Sequence, residues 1–157
     1  MFLNVPRHHK IWPGASLPTP SGVVAVVAPQ ESSLEGFVDT VLAPIVAGNT
    51  VVALASEKRP TPAVLLGEMT AASDFPAGLL NIVTGFTAEL TPTLASHEDI
   101  DGIDLEGVDH EDATQLAVLA AGSIKRVLRP AQGGEVNALR RLRAFVDTST
   151  VWHTVGQ

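Results

Sequence analysis

The chain contains no cysteine, which removes a thiol nucleophile, a disulfide framework and a thiolate metal site from its chemistry. The same absence fits a reducing compartment. No apolar run approaches the length that spans a bilayer. The opening MFLNVPRHHK lacks the long apolar segment and small-residue cleavage site of a secretory signal, so the expected location is cytoplasmic. Charged residues are sparse at 17%, beside 45% apolar residues, a balance that suits an α/β sheet covered on both faces. The formal net charge of −7 argues against general nucleic-acid binding, because counterion release needs clustered Lys and Arg. At 157 residues the chain fits one domain with a substantial core.

What is present is organised around residues 22–50, GVVAVVAPQESSLEGFVDTVLAPIVAGNT. The unbroken apolar, β-branched run GVVAVVAP reads as a strand buried on both faces. Ser32-Ser33-Leu34-Glu35 has the capping-box pattern, in which a hydroxyl and a carboxylate three residues apart satisfy each other's backbone N–H groups. Leu34, Phe37, Val38, Val41, Leu42, Ile45 and Val46 then fall on one helical stripe. Gly48 and Asn49 supply the stop, since both tolerate a positive φ. Thr50 to Leu54 forms a second strand, and the whole is the opening βαβ unit of a parallel sheet.

Residues 1–21 carry Pro6, Pro13, Pro18 and Pro20 and read as an extended arm; His8-His9-Lys10 within it reads as surface. After the second strand, Pro60-Thr61-Pro62 opens a helix whose Leu65 and Leu66 are expected to face or flank the sheet. Leu79 to Val83 is a third strand, and a helix through Glu89, Leu90, Leu94 and Ala95 contains Pro92. Ile100 to Leu105 is a weak fourth strand. A helix from about Glu111 to Ala121 ends at Gly122 and leads into a strand from Ile124 to Leu128. Residues 22–130 are thus an α/β domain, a doubly wound, Rossmann-like parallel sheet of about five strands with helices on both faces. Residues 131–157 add a helix over Glu135–Phe145 and a strand over Thr148–Val155, a candidate oligomerisation element with Trp152 and His153 in packing and surface positions.

Charge is unevenly placed. Eight acids lie between His97 and Asp112 with no Lys or Arg among them, and Lys125, Arg126, Arg129, Arg140, Arg141 and Arg143 follow. Two separately solvated faces are the bland reading, and pairing between them, within or between subunits, is the sharper one. His97 with Glu98, Asp99 and Asp101 matches no known metal-ligand spacing, and no metal is expected.

The order GVVAVVAP, capped helix, LAPIVAGNTVVAL resembles the start of the nucleotide-binding domain of the aldehyde dehydrogenase superfamily. The resemblance continues through SEKRPTPAVLLGEM, DFPAGLLNIVTGF, LASHEDIDGI and AAGSIKRV, roughly residues 20 to 130. The TSTVWHTV ending resembles the closing strand of the degenerate, non-catalytic second module of the two-module family-sixteen aldehyde dehydrogenases. The resemblance implies NAD(P)-dependent aldehyde oxidation as the family activity, with a cysteine nucleophile, a glutamate base and an asparagine oxyanion donor. It also implies assembly by strand exchange.

Carried onto this chain, those roles are altered. The oxyanion asparagine aligns with Glu31, an anion that would repel a developing oxyanion, and the general-base glutamate falls at Pro130 in LRPAQGG. By itself the chain is therefore not expected to be an enzyme. For the cofactor, Glu57 remains where the family's lysine and glutamate hold the adenosine ribose, Gly85 remains where Thr87 and Thr91 replace later glycines, and Gly107 remains in Glu106-Gly107-Val108-Asp109. Glu57, Gly85 and Gly107 are vestigial cofactor-site candidates. Glu106, Asp109, Glu111 and Asp112 crowd the helix start that would hold pyrophosphate, where carboxylates can take the donors and repel the ligand. The expectation is no cofactor, or NAD if any. The expected partner is a catalytic aldehyde dehydrogenase subunit or a second copy, with neither nucleic acid nor membrane. The alternative expectation is the NAD-binding part of a split aldehyde dehydrogenase.

Overall fold

The computed structural model describes residues 14–32, 34–131 and 137–152. Among the described residues, seven strands and five α-helices follow in chain order: β1 (Gly14–Pro20), β2 (Val23–Val27), α1 (Glu35–Val46), β3 (Thr50–Leu54), α2 (Thr61–Ala71), β4 (Leu80–Val83), α3 (Thr87–Ser96), β5 (Gly102–Asp104), α4 (His110–Ala120), β6 (Arg126–Leu128), α5 (Ala138–Ala144) and β7 (Val146–Trp152). Five strands make one parallel sheet in the order β4-β3-β2-β5-β6, the α/β architecture expected from the alternating apolar runs. The chain winds from β2 through β3 to β4 on one side, then returns to the other side of β2 with β5 and β6. The switch point lies between β2 and β5, where ligands bind in open sheets of this kind.

The unbroken β2 run is explained by its two covered faces. Val24, Val26 and Ala28 join Val51, Ala53, Phe37, Val41 and Ala63, so α1 and α2 cover one face. Ala25 and Val27 join Leu54, Ile103, Ala95, Ala113 and Leu116, so α3 and α4 cover the other. Each fully buried Val or Phe contributes roughly 1.5–3 kcal/mol of transfer free energy.

Several expected details are corrected. α1 starts at Glu35 after Leu34 with no side-chain cap; Ser32 Oγ instead accepts the Gly36 N–H at 2.8 Å. Ser33 lies outside the described residues. The buried face of α1 is Gly36, Phe37, Thr40, Val41, Ala43 and Pro44, whereas Leu34, Leu42 and Val46 are exposed. The helix packs against α5 as well as the sheet, so Gly36, Thr40, Ala43 and Pro44 join Phe37 and Val41 of the apolar stripe on its buried side. On α2 the buried residue is Ala63; Leu66 only flanks the core and Leu65 is exposed. β6 begins at Arg126, because Ile124 sits in the left-handed region with φ 56° and is 94% exposed. Beside it, Lys125 is buried, its Nζ donating to the His97 and Ile100 carbonyls. Burial pushes that ammonium below its ordinary pKa, against the opposing pull of Asp101, Glu98 and Asp99.

The two ends of the described chain meet each other. β1 pairs antiparallel with β7, from Gly14 opposite Trp152 to Pro20 opposite Val146, so the part of the proline-rich arm from residue 14 is a strand. Residues 1–13, with His8 and His9, lie outside the described residues, as do 132–136 and 153–157. Phe145, wholly buried, anchors the tail: its ring lies against Gly102, where a Cβ would come within 2.7 Å of it. Its carbonyl accepts the Asn49 side-chain amide at 2.9 Å and the Ser21 N–H at 3.3 Å. Among the described residues, no helix is long and apolar enough to cross a membrane.

Candidate functional site

A cleft of about 750 Å³ opens at the carboxyl ends of β2, β3 and β5, at the switch point of the sheet. Its apolar wall includes Val108, Leu116 and Leu119. Its charged groups are Glu31, Glu57, Glu106, Asp109 and Asp112 against the single cation Lys58.

The turn after β2 is tied to the turn after β3. Gln30 Oε1 accepts the Glu57 N–H at 2.9 Å, and the Gln30 carbonyl accepts the Ser56 hydroxyl at 3.0 Å. Glu31 forms an ion pair with Lys58, and its carbonyl accepts from Arg59 Nη1 at 2.9 Å. The hydrogen bond and charge of Lys58 hold the Glu31 carboxyl below its ordinary pKa, so the group is an anion at neutral pH. A carboxylate so fixed accepts hydrogen bonds and cannot donate one to an oxyanion.

Of the three candidate cofactor residues, the structure brings Glu57 and Gly107 into the cleft and leaves Gly85 outside its lining. Glu57 Oε2 accepts the N–H of Thr87, the first residue of α3, at 2.9 Å. Its charge therefore complements a helix N-terminus. Gly107 N–H donates to the Val27 carbonyl at 2.9 Å, and a Cβ there would lie 2.0 Å from the Ala28 carbonyl oxygen. A Cβ at Gly85 would lie 2.6 Å from Leu90 Cδ1. Both glycines thus allow close packing within the chain itself.

At α4 one expectation is corrected. Asp109 is the N-cap but makes no side-chain hydrogen bond to the helix, so it does not occupy the first-turn donors. Asp109, Glu111 and Asp112 act there through charge alone, which still opposes a polyanion. Pro130, at the expected general-base position, contributes no titratable group.

Behind the cleft wall lies a buried charge cluster, an instance of the acidic-to-basic pairing whose individual partners the sequence does not single out. Arg141 Nε donates to Asp104 Oδ2 at 2.6 Å, with the side chains 3% and 0% exposed, and Arg141 Nη2 lies 3.4 Å from Glu106 Oε2. Asp104 Oδ1 also accepts the Glu106 N–H at 3.1 Å. Burial pushes the Asp104 carboxyl up, against the opposing pull of Arg141. The signal was the acid-rich stretch followed by the Arg-rich one. At this cluster the pairing between them is the arrangement found, not two separately solvated faces.

Comparison with known proteins agrees with the fold. Residues 14–137 match the model of the aldehyde dehydrogenase family. The chain is 33% identical over 118 residues to the NADP/NAD-dependent aldehyde dehydrogenase PuuC of Escherichia coli, covering 75% of this chain and 24% of that protein. It is 33% identical over 138 residues to the putative aldehyde dehydrogenase DhaS of Bacillus subtilis, covering 88% and 26%. Among solved structures, an NAD-dependent aldehyde dehydrogenase from Sinorhizobium meliloti superposes with a TM-score of 0.70 at 29% identity, over 77% of this chain and 24% of that one. An aldehyde dehydrogenase C mutant from Pseudomonas syringae, complexed with NAD+ and octanal, superposes with a TM-score of 0.67 at 31% identity, over 74% and 24%. The chain thus spans about a quarter of the length of these relatives. The family match over most of the chain, on a doubly wound sheet with its cleft at the switch point, means that the chain belongs to the aldehyde dehydrogenase family.

Proposed function

We propose that this chain is a non-catalytic aldehyde-dehydrogenase-like domain with a structural or regulatory role, assembling with a catalytic aldehyde dehydrogenase or with itself. On this reading it stands with the degenerate second modules of the two-module family-sixteen enzymes, by the resemblance of its TSTVWHTV ending and by Glu31 in the turn after β2. The observation that carries the reading is the charge of the cleft. Of the five carboxylates that line it, Glu31, which stands where the family places its oxyanion donor, is paired with Lys58, and Glu106 lies against Arg141. Among the described residues, Glu57, Asp109 and Asp112 therefore face the cleft without a paired cation. An NAD pyrophosphate entering here meets a field of its own sign. Glu57, the retained ribose candidate, already accepts the Thr87 N–H.

Assembly would use the β1–β7 ribbon. A two-stranded sheet has an open edge on each side, and Pro18 and Pro20 blunt the β1 edge, which leaves β7 as the edge to which a further strand can add. Calorimetric titration of the folded protein with NAD tests the reading, with no saturable heat expected.

The second reading is the NAD-binding part of a split NAD-dependent aldehyde dehydrogenase whose cysteine comes from another chain. Two observations favour it: Glu57 and Gly107 line one cleft, and the similar Pseudomonas syringae enzyme holds NAD+ in its structure. Saturable NAD binding weakened by Glu57→Ala would establish it over the first.

A further inference from the structure

The structure assigns a second, basic pocket to the binding of a phosphate group, carried by inorganic phosphate or by a small phosphate ester. This hollow of about 380 Å³ is lined by His110, Arg129, Pro130 and Arg140, and shares no lining residue with the acidic cleft. Among the described residues that line it, three of four are basic and none is acidic, in a chain of formal net charge −7.

The arrangement follows from the neighbouring elements. Arg129 and Pro130 follow the carboxyl end of β6, and His110 opens α4. Arg129 Nη2 donates to Thr114 Oγ1, and the Thr114 hydroxyl donates to the His110 carbonyl at 2.9 Å. Thr114 thereby holds the guanidinium over the first turn of α4. Arg140 reaches the hollow from α5, while the next residue, Arg141, is the one that meets Asp104 and Glu106. Among the described residues neither Arg129 nor Arg140 forms an ion pair with a carboxylate. Asp109 and Asp112 line the acidic cleft and not this pocket.

Two guanidinium forks match the oxygens of a phosphate, and a charge-assisted bond from each is stronger than a neutral one. The imidazole adds a further donor, while the partial positive charge of the α4 N-terminus is offset by Asp109, Glu111 and Asp112, so the two guanidinium groups carry the attraction. The volume holds a phosphate with a small organic body and is too small for a whole dinucleotide, so the pocket stands whether or not the acidic cleft takes NAD.

The test is titration of the folded chain with inorganic phosphate, read by phosphorus NMR line broadening and by calorimetry. Arg129→Gln, Arg140→Gln and their double variant are run beside Glu31→Gln, a control in the other cleft. The expected result is saturable binding that each arginine variant weakens about tenfold, that the double variant abolishes, and that Glu31→Gln leaves unchanged. Repeating the titration with glycerol 3-phosphate distinguishes the sources: tighter binding than phosphate means that the ester body is recognised, and equal binding means that the phosphate alone is. Absence of saturation up to about 20 mM phosphate, or binding that survives the double arginine variant, overturns the assignment. NAD is a separate probe, so its failure to bind and a failure here are distinguishable.

Discussion

Removing Arg141 should destabilise the chain far more than its position in a seven-residue helix suggests. In Arg141→Met, Asp104, which is wholly buried, loses its cation while keeping the Glu106 N–H, and Glu106 loses the second guanidinium contact. Breaking a buried pair from one side costs about 3–5 kcal/mol, because the remaining charge stays out of water or must take up a proton. For a domain whose total stability is about 5–15 kcal/mol, that is a large share. With a urea m-value of about 2 kcal/mol per molar, the unfolding midpoint falls by about 2 M.

The assay is urea denaturation followed by far-ultraviolet circular dichroism, on Arg141→Met and on Asp104→Asn/Arg141→Met. The double variant keeps an acceptor for the Glu106 N–H without a buried charge, so it should recover at least half of the loss. The pH dependence has a definite sign. The Asp104 carboxyl is raised above its ordinary 3.8, so its contribution is fully present below that value and is lost as pH rises through the folded value. Without Arg141 to oppose burial, the fall with rising pH extends further upward. A shift in stability below about 0.5 kcal/mol for Arg141→Met would refute the reasoning.

Two other substitutions follow from geometry. Gly107→Ala places a Cβ 2.0 Å from the Ala28 carbonyl oxygen, where only backbone can yield, so a loss of about 3 kcal/mol and a melting temperature lower by about 10 °C are expected by calorimetry. Ile124→Gly relieves a β-branched residue of φ 56° that is 94% exposed; relief of the left-handed strain outweighs the added chain entropy, and the urea midpoint should rise by the equivalent of about 1 kcal/mol.

Much of the fold was legible because β2 and β3 carry their burial in the sequence itself. An apolar run without alternation has one common explanation, a strand covered on both faces, and β3 spans Thr50–Leu54 as read. The face of α1 was not legible. Its apolar stripe spans nearly half the helix, and the choice of buried side is made by α5, more than 90 residues away in sequence. β1 was hidden by its prolines, since strand pairing with β7 is a long-range fact and the local signal was that of an arm. In the cleft, Glu57, Gly107 and the acidic α4 start were readable by position. The use of Glu57 on the Thr87 N–H, and the claim of Arg141 on Asp104, were not, because each joins residues 30 or more apart that only the folded sheet brings together.

The most direct test of the central claim is calorimetric titration with NAD of the purified chain, shown to be folded by circular dichroism. The account predicts no saturable heat, because five carboxylates line the cleft and Glu57 is already engaged. Saturable binding in the micromolar range, weakened by Glu57→Ala, would contradict it and make the chain the NAD-binding part of a dehydrogenase.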